Sequence, residues 1–209
     1  IAGAISSKDV GKDTFQEIDQ QALFEPITKK TWSVNHTNII PQTLNDAFNL
    51  ALKPRCGPVH VNLPRDILST KECFEDFNLY QKPLSQNLPL ASNEELSKTI
   101  EIILSSSQPV IIAGGGIKNT KGYQEVINLA KIMNIPIVSS AGHGDAIPLS
   151  EKLYLGQMGP RGNPIATKLV KEADVILALG TRLGFNSTFF SYENINKQAS
   201  IIQIEIEPT

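Results

Sequence analysis

The sequence is poor in the residues that mark specialised chemistry. Only two cysteines occur, Cys56 and Cys73. Their spacing fits neither a C-x-x-C redox pair nor a zinc pattern, so two free thiols in a reducing, cytoplasmic setting are expected. The three histidines, His36, His60 and His143, are far apart, and no H-E-x-x-H or related metal spacing exists. Charge of one sign is not in excess: 19 Lys+Arg against 21 Asp+Glu leave a net charge of -2. That argues against the clustered basic surface that nucleic acid needs. No apolar run approaches the roughly 20 residues of a membrane-spanning helix. There is no repeat of the solenoid kind, no G-x-x-x-x-G-K-[ST] loop and no G-x-S-x-G elbow.

What is present is an ordinary aliphatic core in the making. Hydrophobic residues are 41% of 209 and charged residues 19%, which argues against disorder and allows one full domain or parts of two. Residues 1–18 are rich in Gly, Ser and charge after a short apolar start, and predict a loop. Asp19 to Phe24 predicts a short helix deflected by Pro26, and Thr31–Val34 a short strand. Ile40, Leu44, Ala47, Phe48 and Ala51 recur at helical steps, so Pro41–Leu52 predicts a helix with Pro41 in its first turn. Val59–Leu63 alternates as a strand, which Pro64-Arg65-Asp66 ends. Residues 69–92 lack a period and read as a linker.

From Asn93 the pattern becomes regular. A helix runs to about Ser105, with Leu96, Ile100 and Ile103 on one face and Ser92 or Asn93 as its cap. Val110–Ala113, Pro136–Ser139, Val175–Leu179 and Ile201–Ile206 predict strands. Tyr123–Met133, with Val126, Ile127, Ala130 and Met133 inward, and Pro164–Glu172 predict helices. Strands alternating with helices give an α/β fold with a parallel sheet flanked by helices. The unbroken apolar runs suit strands covered on both faces.

In such sheets ligands bind beyond the carboxyl ends of the strands. Three of those ends carry glycine: Gly114-Gly115-Gly116, Gly156 to Gly162, and Gly180-Thr181-Arg182. Glycine lets backbone approach a ligand closely, and Arg161 and Arg182 suit a pyrophosphate. For Gly114-Gly115-Gly116 alone a tight strand-to-helix turn explains the glycines equally well, since Asn119 stands where the third glycine of G-x-G-x-x-G belongs, but the three glycine-rich ends together favour a ligand. His143 and Asp145 share a loop and read as a solvated polar pair rather than an acid–base pair. Glu205 and Glu207 could share a strand face and hold a ribose hydroxyl, or face solvent. Lys29-Lys30 reads as a solvated face, and Trp32 and Tyr123 as packing residues.

Several ordered motifs resemble one family. Gly11-Lys12-Asp13-Thr14-Phe15-Gln16-Glu17 resembles the G-x-D-x-F-Q-E of acetolactate synthases, thiamine-diphosphate enzymes of the acetohydroxyacid synthase and pyruvate oxidase group. Ile27-Thr28-Lys29 matches their I-T-K. Pro54-Arg55-Cys56-Gly57-Pro58-Val59 resembles their G-R-P-G-P-V, and Leu63-Pro64-Arg65-Asp66 resembles L-P-K/R-D. Gly114–Gly116 and Ala173-Asp174 through Arg182 follow in the right order.

The resemblance implies that residues 1–68 are the C-terminal part of a pyrimidine-binding domain, 69–92 a linker and 93–209 a Rossmann-like central domain. It implies pyruvate decarboxylation and carboligation to a 2-oxo acid on thiamine diphosphate and Mg²⁺, in branched-chain amino acid biosynthesis, by a dimer or tetramer. Phe15 and Gln16 would border the thiamine active site of a neighbouring subunit, Lys29 would lie near the substrate channel, and Arg65 would line that channel. Arg55, Gly114, Gly115, Gly116, Gly159, Arg161, Gly162, Gly180, Thr181 and Arg182 would contact FAD or ADP, which some members hold.

This sequence departs from the family twice. The family's G-x-R-F-D-D-R reads Gly180-Thr181-Arg182-Leu183-Gly184-Phe185-Asn186, and its M-H-G reads Pro160-Arg161-Gly162. Gly180 to Gly184 resembles the G-T-R-L-G of sulfoacetaldehyde acetyltransferase. A non-catalytic nucleotide-binding or scaffold module is the alternative of another class. The opening at Ile1 and the stop at Thr209 lead us to expect a fragment, inactive and poorly behaved alone. The family's pyrimidine-activating glutamate and its metal-binding G-D-G…N-N would fall outside it.

Overall fold

The computed structural model describes residues 1–71, 90–185, 187, 188, 191 and 194–206. Two compact units make up the chain, Ile1–Asn87 and Leu88–Thr209.

The first unit is built on β1 (Ala2–Ala4), α1 (Gln20–Phe24), β2 (Thr31–Ser33), α2 (Ile40–Leu52), β3 (His60–Pro64) and α3 (Arg65–Ser69). The three strands are parallel in the order β1-β3-β2, with Ala2 beside Asn62 and Thr31 beside His60. Successive β3 side chains point to opposite faces. Val61 and Leu63 join Val34 and Ala47 of α2 in the core, with Trp32, Ile40 and Leu44 packed around them. His60 takes the other face, where Phe24 of α1 stacks on its ring at 4.2 Å and 10°. Asp19 caps α1 by accepting from the Ala22 N–H at 3.0 Å.

Two expectations are corrected here and one is met. Residues 1–18 are not all loop, because Ala2–Ala4 pairs along β3. Three small residues carry no alternation, so only the pairing reveals the strand. Pro64 ends β3 as expected, and the chain turns directly into the five-residue α3. Finally, Phe48 is 51% exposed, and the residues of α2 that are buried are Thr43 and Ala47.

The second unit contains α4 (Asn93–Leu104), β4 (Pro109–Ala113), α5 (Gly115–Thr120), α6 (Tyr123–Met133), β5 (Ile137–Ser139), β6 (Tyr154–Gln157), α7 (Pro164–Glu172), β7 (Val175–Leu179) and β8 (Ser200–Ile204). Ser92 and Glu95 form a reciprocal capping box at the start of α4. The five strands are all parallel, in the order β6-β5-β4-β7-β8. The chain thus winds outward from β4 in one direction and then from β7 in the other, and the order reverses between β4 and β7.

Helices cover both faces of this sheet. Ile111 and Ala113 share one core with Val126, Ile127 and Ala130 of α6. Val110 and Ile112 share the other with Ala166 and Val170 of α7. Ile111, Ile112, Ile137, Val138, Ile176 and Ala178 are completely buried, which is why these strands read as unbroken apolar runs. Asp174 ties the start of β7 to the start of β4, accepting from the Ser107 and Gln108 N–H groups at 2.7 and 3.0 Å.

Two further elements were not legible. Tyr154–Gln157 is an edge strand where a glycine-rich loop is expected from Gly156. Gly115–Thr120 is a short helix where a turn is expected. Leu96, Ile100 and Tyr123 are 48%, 54% and 42% exposed, so they are surface residues rather than core. The last strand ends at Ile204. Residues 72–89 of the expected linker, Cys73 and Glu207 lie outside the described residues, while Cys56 is a free, exposed thiol. No helix among the described residues is long and apolar enough to cross a membrane.

Candidate functional site

In the first unit, Thr14–Ile18 and the start of α3 bound an open cleft of about 1390 Å³, lined by Phe15, Gln16, Glu17, Gln20, Arg65 and Asp66 among others. Phe15 is 89% exposed on its rim. The Glu17 carboxylate turns back and accepts from the backbone N–H groups of Gly11 and of Thr14, the latter at 3.1 Å. These bonds hold the Glu17 carboxyl below the usual carboxylate range. Across the cleft, Asp66 accepts from the Ser7 N–H at 2.9 Å and from the Ser7 hydroxyl. The Ser7 bonds likewise hold the Asp66 carboxyl low. The Arg65 guanidinium is exposed and has no side-chain partner among the described residues.

The cleft therefore gathers Phe15, Gln16 and Arg65, and Lys29 is not among its lining residues. The Lys29 ammonium donates to the carbonyls of Leu50, Lys53 and Arg55, at 2.8, 2.9 and 2.9 Å. It thereby satisfies carbonyls that the end of α2 leaves open. Lys30 lies over the Trp32 ring at 4.9 Å. The pair Lys29-Lys30 is thus engaged rather than merely solvated. Arg55 is exposed beside the same turn. Sequence reasoning missed Glu17, Asp66 and Ser7. The T-x-x-E spacing of Thr14 and Glu17 was the available signal, since it is the spacing of a side chain folding back on a backbone N–H.

In the second unit, the carboxyl ends of β4 and β7 meet where the strand order reverses. A β-carbon on Gly114 would lie 2.3 Å from the Gly180 carbonyl oxygen, and one on Gly116 would lie 2.7 Å from the Gly180 Cα. Gly180 itself has φ of +60°, so neither side can accept a side chain without moving. The Gly116 N–H donates to Gly180 at 2.9 Å, and the Ile117 N–H to Gly114 at 3.2 Å. At Gly115 a β-carbon would lie 2.6 Å from His143 Cε1.

The donors that a phosphate would use at the start of α5 are thus largely taken, and the His143 ring lies against Gly115. Gly162 is equally confined, with the Gln157 carbonyl oxygen 2.2 Å from any β-carbon. Gly159 has φ of +112°. Thr181 is buried, with its hydroxyl accepting from the Leu183 N–H at 3.3 Å. Arg161 and Arg182 are exposed, with no side-chain partner among the described residues. Asp145 pairs with Lys118 rather than with His143, and that bond holds its carboxyl low. The Glu205 carboxylate accepts from the Ile206 N–H at 3.0 Å. Among the described residues, no cluster of His, Cys, Asp and Glu could hold a metal ion.

Known proteins resemble the chain over its whole length. The probable acetolactate synthase large subunit of Methanocaldococcus jannaschii is 33% identical, covering 100% of this chain and 36% of that protein. The acetolactate synthase large subunit of Buchnera aphidicola is 35% identical, covering 100% and 37%. A probable sulfoacetaldehyde acetyltransferase of Rhizobium meliloti is 32% identical, covering 96% and 34%. The chain thus spans roughly a third of the length of these relatives. Residues 96–209, more than half of the chain, match the family described as thiamine pyrophosphate enzyme, central domain. That match falls within the second unit, Leu88–Thr209, and by it the chain belongs to the thiamine pyrophosphate enzymes.

Proposed function

We propose that the chain is a segment of an acetolactate-synthase-like enzyme, one that decarboxylates pyruvate and joins the remaining two carbons to a second 2-oxo acid. The observation that carries this reading is the cleft that brings Phe15, Gln16 and Arg65 together. The relatives' names support it. Thiamine diphosphate, when bound, supplies the electron sink for decarboxylation. The described residues offer no metal cluster, so the Mg²⁺ that accompanies the diphosphate is assigned to residues outside them.

This chain's own residues would do four things. The Phe15 ring keeps water from the reacting carbon. The Gln16 amide can donate to a substrate carbonyl oxygen and accept from a hydroxyl. The Arg65 guanidinium, planar and permanently charged, fits a substrate carboxylate with two parallel hydrogen bonds. Lys29 acts one step back, by holding the end of α2. The second unit serves as a scaffold, and FAD or ADP is assigned no step. What speaks against a dinucleotide is the closed Gly114–Gly116 turn. What remains for an anionic ligand is the pair Arg161 and Arg182. The working enzyme is a cytoplasmic homodimer or homotetramer acting on small 2-oxo acids.

A second reading is sulfoacetaldehyde acetyltransferase, favoured by Gly180-Thr181-Arg182-Leu183-Gly184 and by the Rhizobium meliloti relative. Turnover decides between them. The whole protein, given thiamine diphosphate, Mg²⁺ and pyruvate, releases CO₂ and forms acetolactate on the first reading. Turnover of sulfoacetaldehyde but not of pyruvate moves the assignment to the second.

A further inference from the structure

The loop that carries Phe15 and Gln16 closes on one backbone bond, from the Glu17 N–H to the Thr14 carbonyl at 3.0 Å. Asp13 and Gln16 have φ of +54° and +66°, and Gly11 has φ of +80°. Residues with a β-carbon visit this region reluctantly, so that single backbone bond needs a further contact beside it to hold the turn. Glu17 makes that contact. One carboxylate oxygen accepts from the Gly11 N–H, and the other accepts from the Thr14 N–H at 3.1 Å and the Thr14 hydroxyl at 3.4 Å. Gly11 and Thr14 flank Asp13, and Phe15 and Gln16 fall between Thr14 and the carboxylate's own residue. One anion therefore closes the turn from both ends and leaves Phe15 and Gln16 on the rim of the cleft.

The same bonds make Glu17 a poor proton carrier. Its carboxyl is held below the usual range by the Gly11 and Thr14 N–H groups, and each of its oxygens already accepts a hydrogen bond. The geometry is that of a brace.

We propose that Glu17 is a positioning residue, whose carboxylate closes the Gly11–Glu17 turn and so aims Phe15 and Gln16 at the reacting substrate without touching it. The proposal rests on reading this cleft as part of the reaction site. Its mechanical half, that the carboxylate closes the turn, can be tested independently of any turnover.

The test uses the whole protein and the variants Glu17→Gln, Glu17→Ala, Gln16→Ala and the double variant of Glu17→Ala with Gln16→Ala. Amide hydrogen exchange at Gly11 and Thr14 reads the turn directly. Exchange should speed up by about tenfold or more in Glu17→Ala, by less in Glu17→Gln, which keeps one acceptor oxygen, and not at all in Gln16→Ala. With pyruvate, kcat/KM should fall by about 10- to 100-fold in Glu17→Ala, because small misplacements at a reacting centre are costly. Glu17→Gln should lie between that variant and the wild type. Gln16→Ala alone should also fall, yet add less than about twofold on top of Glu17→Ala, since an unaimed Gln16 has little left to lose.

Unchanged exchange at Gly11 and Thr14 in Glu17→Ala overturns the proposal, whatever happens to turnover. Faster exchange with full turnover overturns the positioning role. Additive losses in the double variant also overturn it, because Glu17 would then act by itself. A wild type that turns over no 2-oxo acid defeats the functional reading, and the exchange data still decide whether Glu17 closes the turn.

Discussion

Gly114 and Gly180 face each other across the ends of β4 and β7 so closely that a β-carbon on Gly114 would lie 2.3 Å from the Gly180 carbonyl oxygen. The contact joins the two strands between which the strand order reverses. Gly114→Ala should therefore destabilise the chain by about 1–3 kcal/mol or more, the usual cost of forcing extra volume into a packed site. Gly3→Ala, at a position with nothing within 4 Å of a new β-carbon, should cost far less. Chemical denaturation of both variants checks the difference.

The same closeness bears on cofactors. The Gly114–Gly116 turn is filled by Gly180 on one side and by the His143 ring on the other. Titration with FAD and with ADP should give no saturable binding. Stoichiometric binding that is lost in Arg161→Ala and Arg182→Ala would contradict this and restore the turn as a phosphate site.

Much of the second unit is legible in the sequence, and the reason is burial. β4 and β7 lie under helices on both faces, so no polar residue interrupts Val110–Ala113 or Val175–Leu179. β1 and β6 escape notice because both are short strands at sheet edges, β1 built of Ala and Gly and β6 holding Gly156 at φ +96°. The glycine at Gly114 is visible, but its partner is not. Sequence alone cannot distinguish a glycine that admits a phosphate from one that admits another backbone. Phe15, Gln16 and Arg65 are legible only through the resemblance. The bonds made by Lys29 appear only once α2 and the turn after it are in place.

His60 gives the first unit a pH dependence. It is 4% exposed and stacked on Phe24, and burial holds its imidazole below the ordinary value of 6.5. The unfolded chain then binds this proton more readily than the folded one, so stability rises with pH. The contribution is complete above the unfolded value and shrinks as pH falls below about 6.5. Melting temperatures followed from about pH 7 to about pH 5 should fall for the wild type and fall less steeply for His60→Phe, which keeps the stack without the titrating group.

Lys29 should be a structural residue. Lys29→Met removes three bonds to carbonyls around the end of α2 and should cost about 1 kcal/mol of stability. Turnover per folded molecule should stay within about twofold of the wild type. A loss of turnover without a loss of stability would return Lys29 to the substrate channel.

Arg65 should act on substrate directly. It stands at the first position of α3, on the rim of the cleft, with no side-chain partner among the described residues. The decisive measurement is steady-state kinetics of the whole protein with pyruvate, thiamine diphosphate and Mg²⁺, comparing wild type with Arg65→Met. The account predicts acetolactate formation by the wild type, and a kcat/KM at least about tenfold lower in the variant through loss of a charge-assisted carboxylate contact. No acetolactate from the wild type, or an unchanged kcat/KM in Arg65→Met, would contradict the assignment of this cleft to the reaction site.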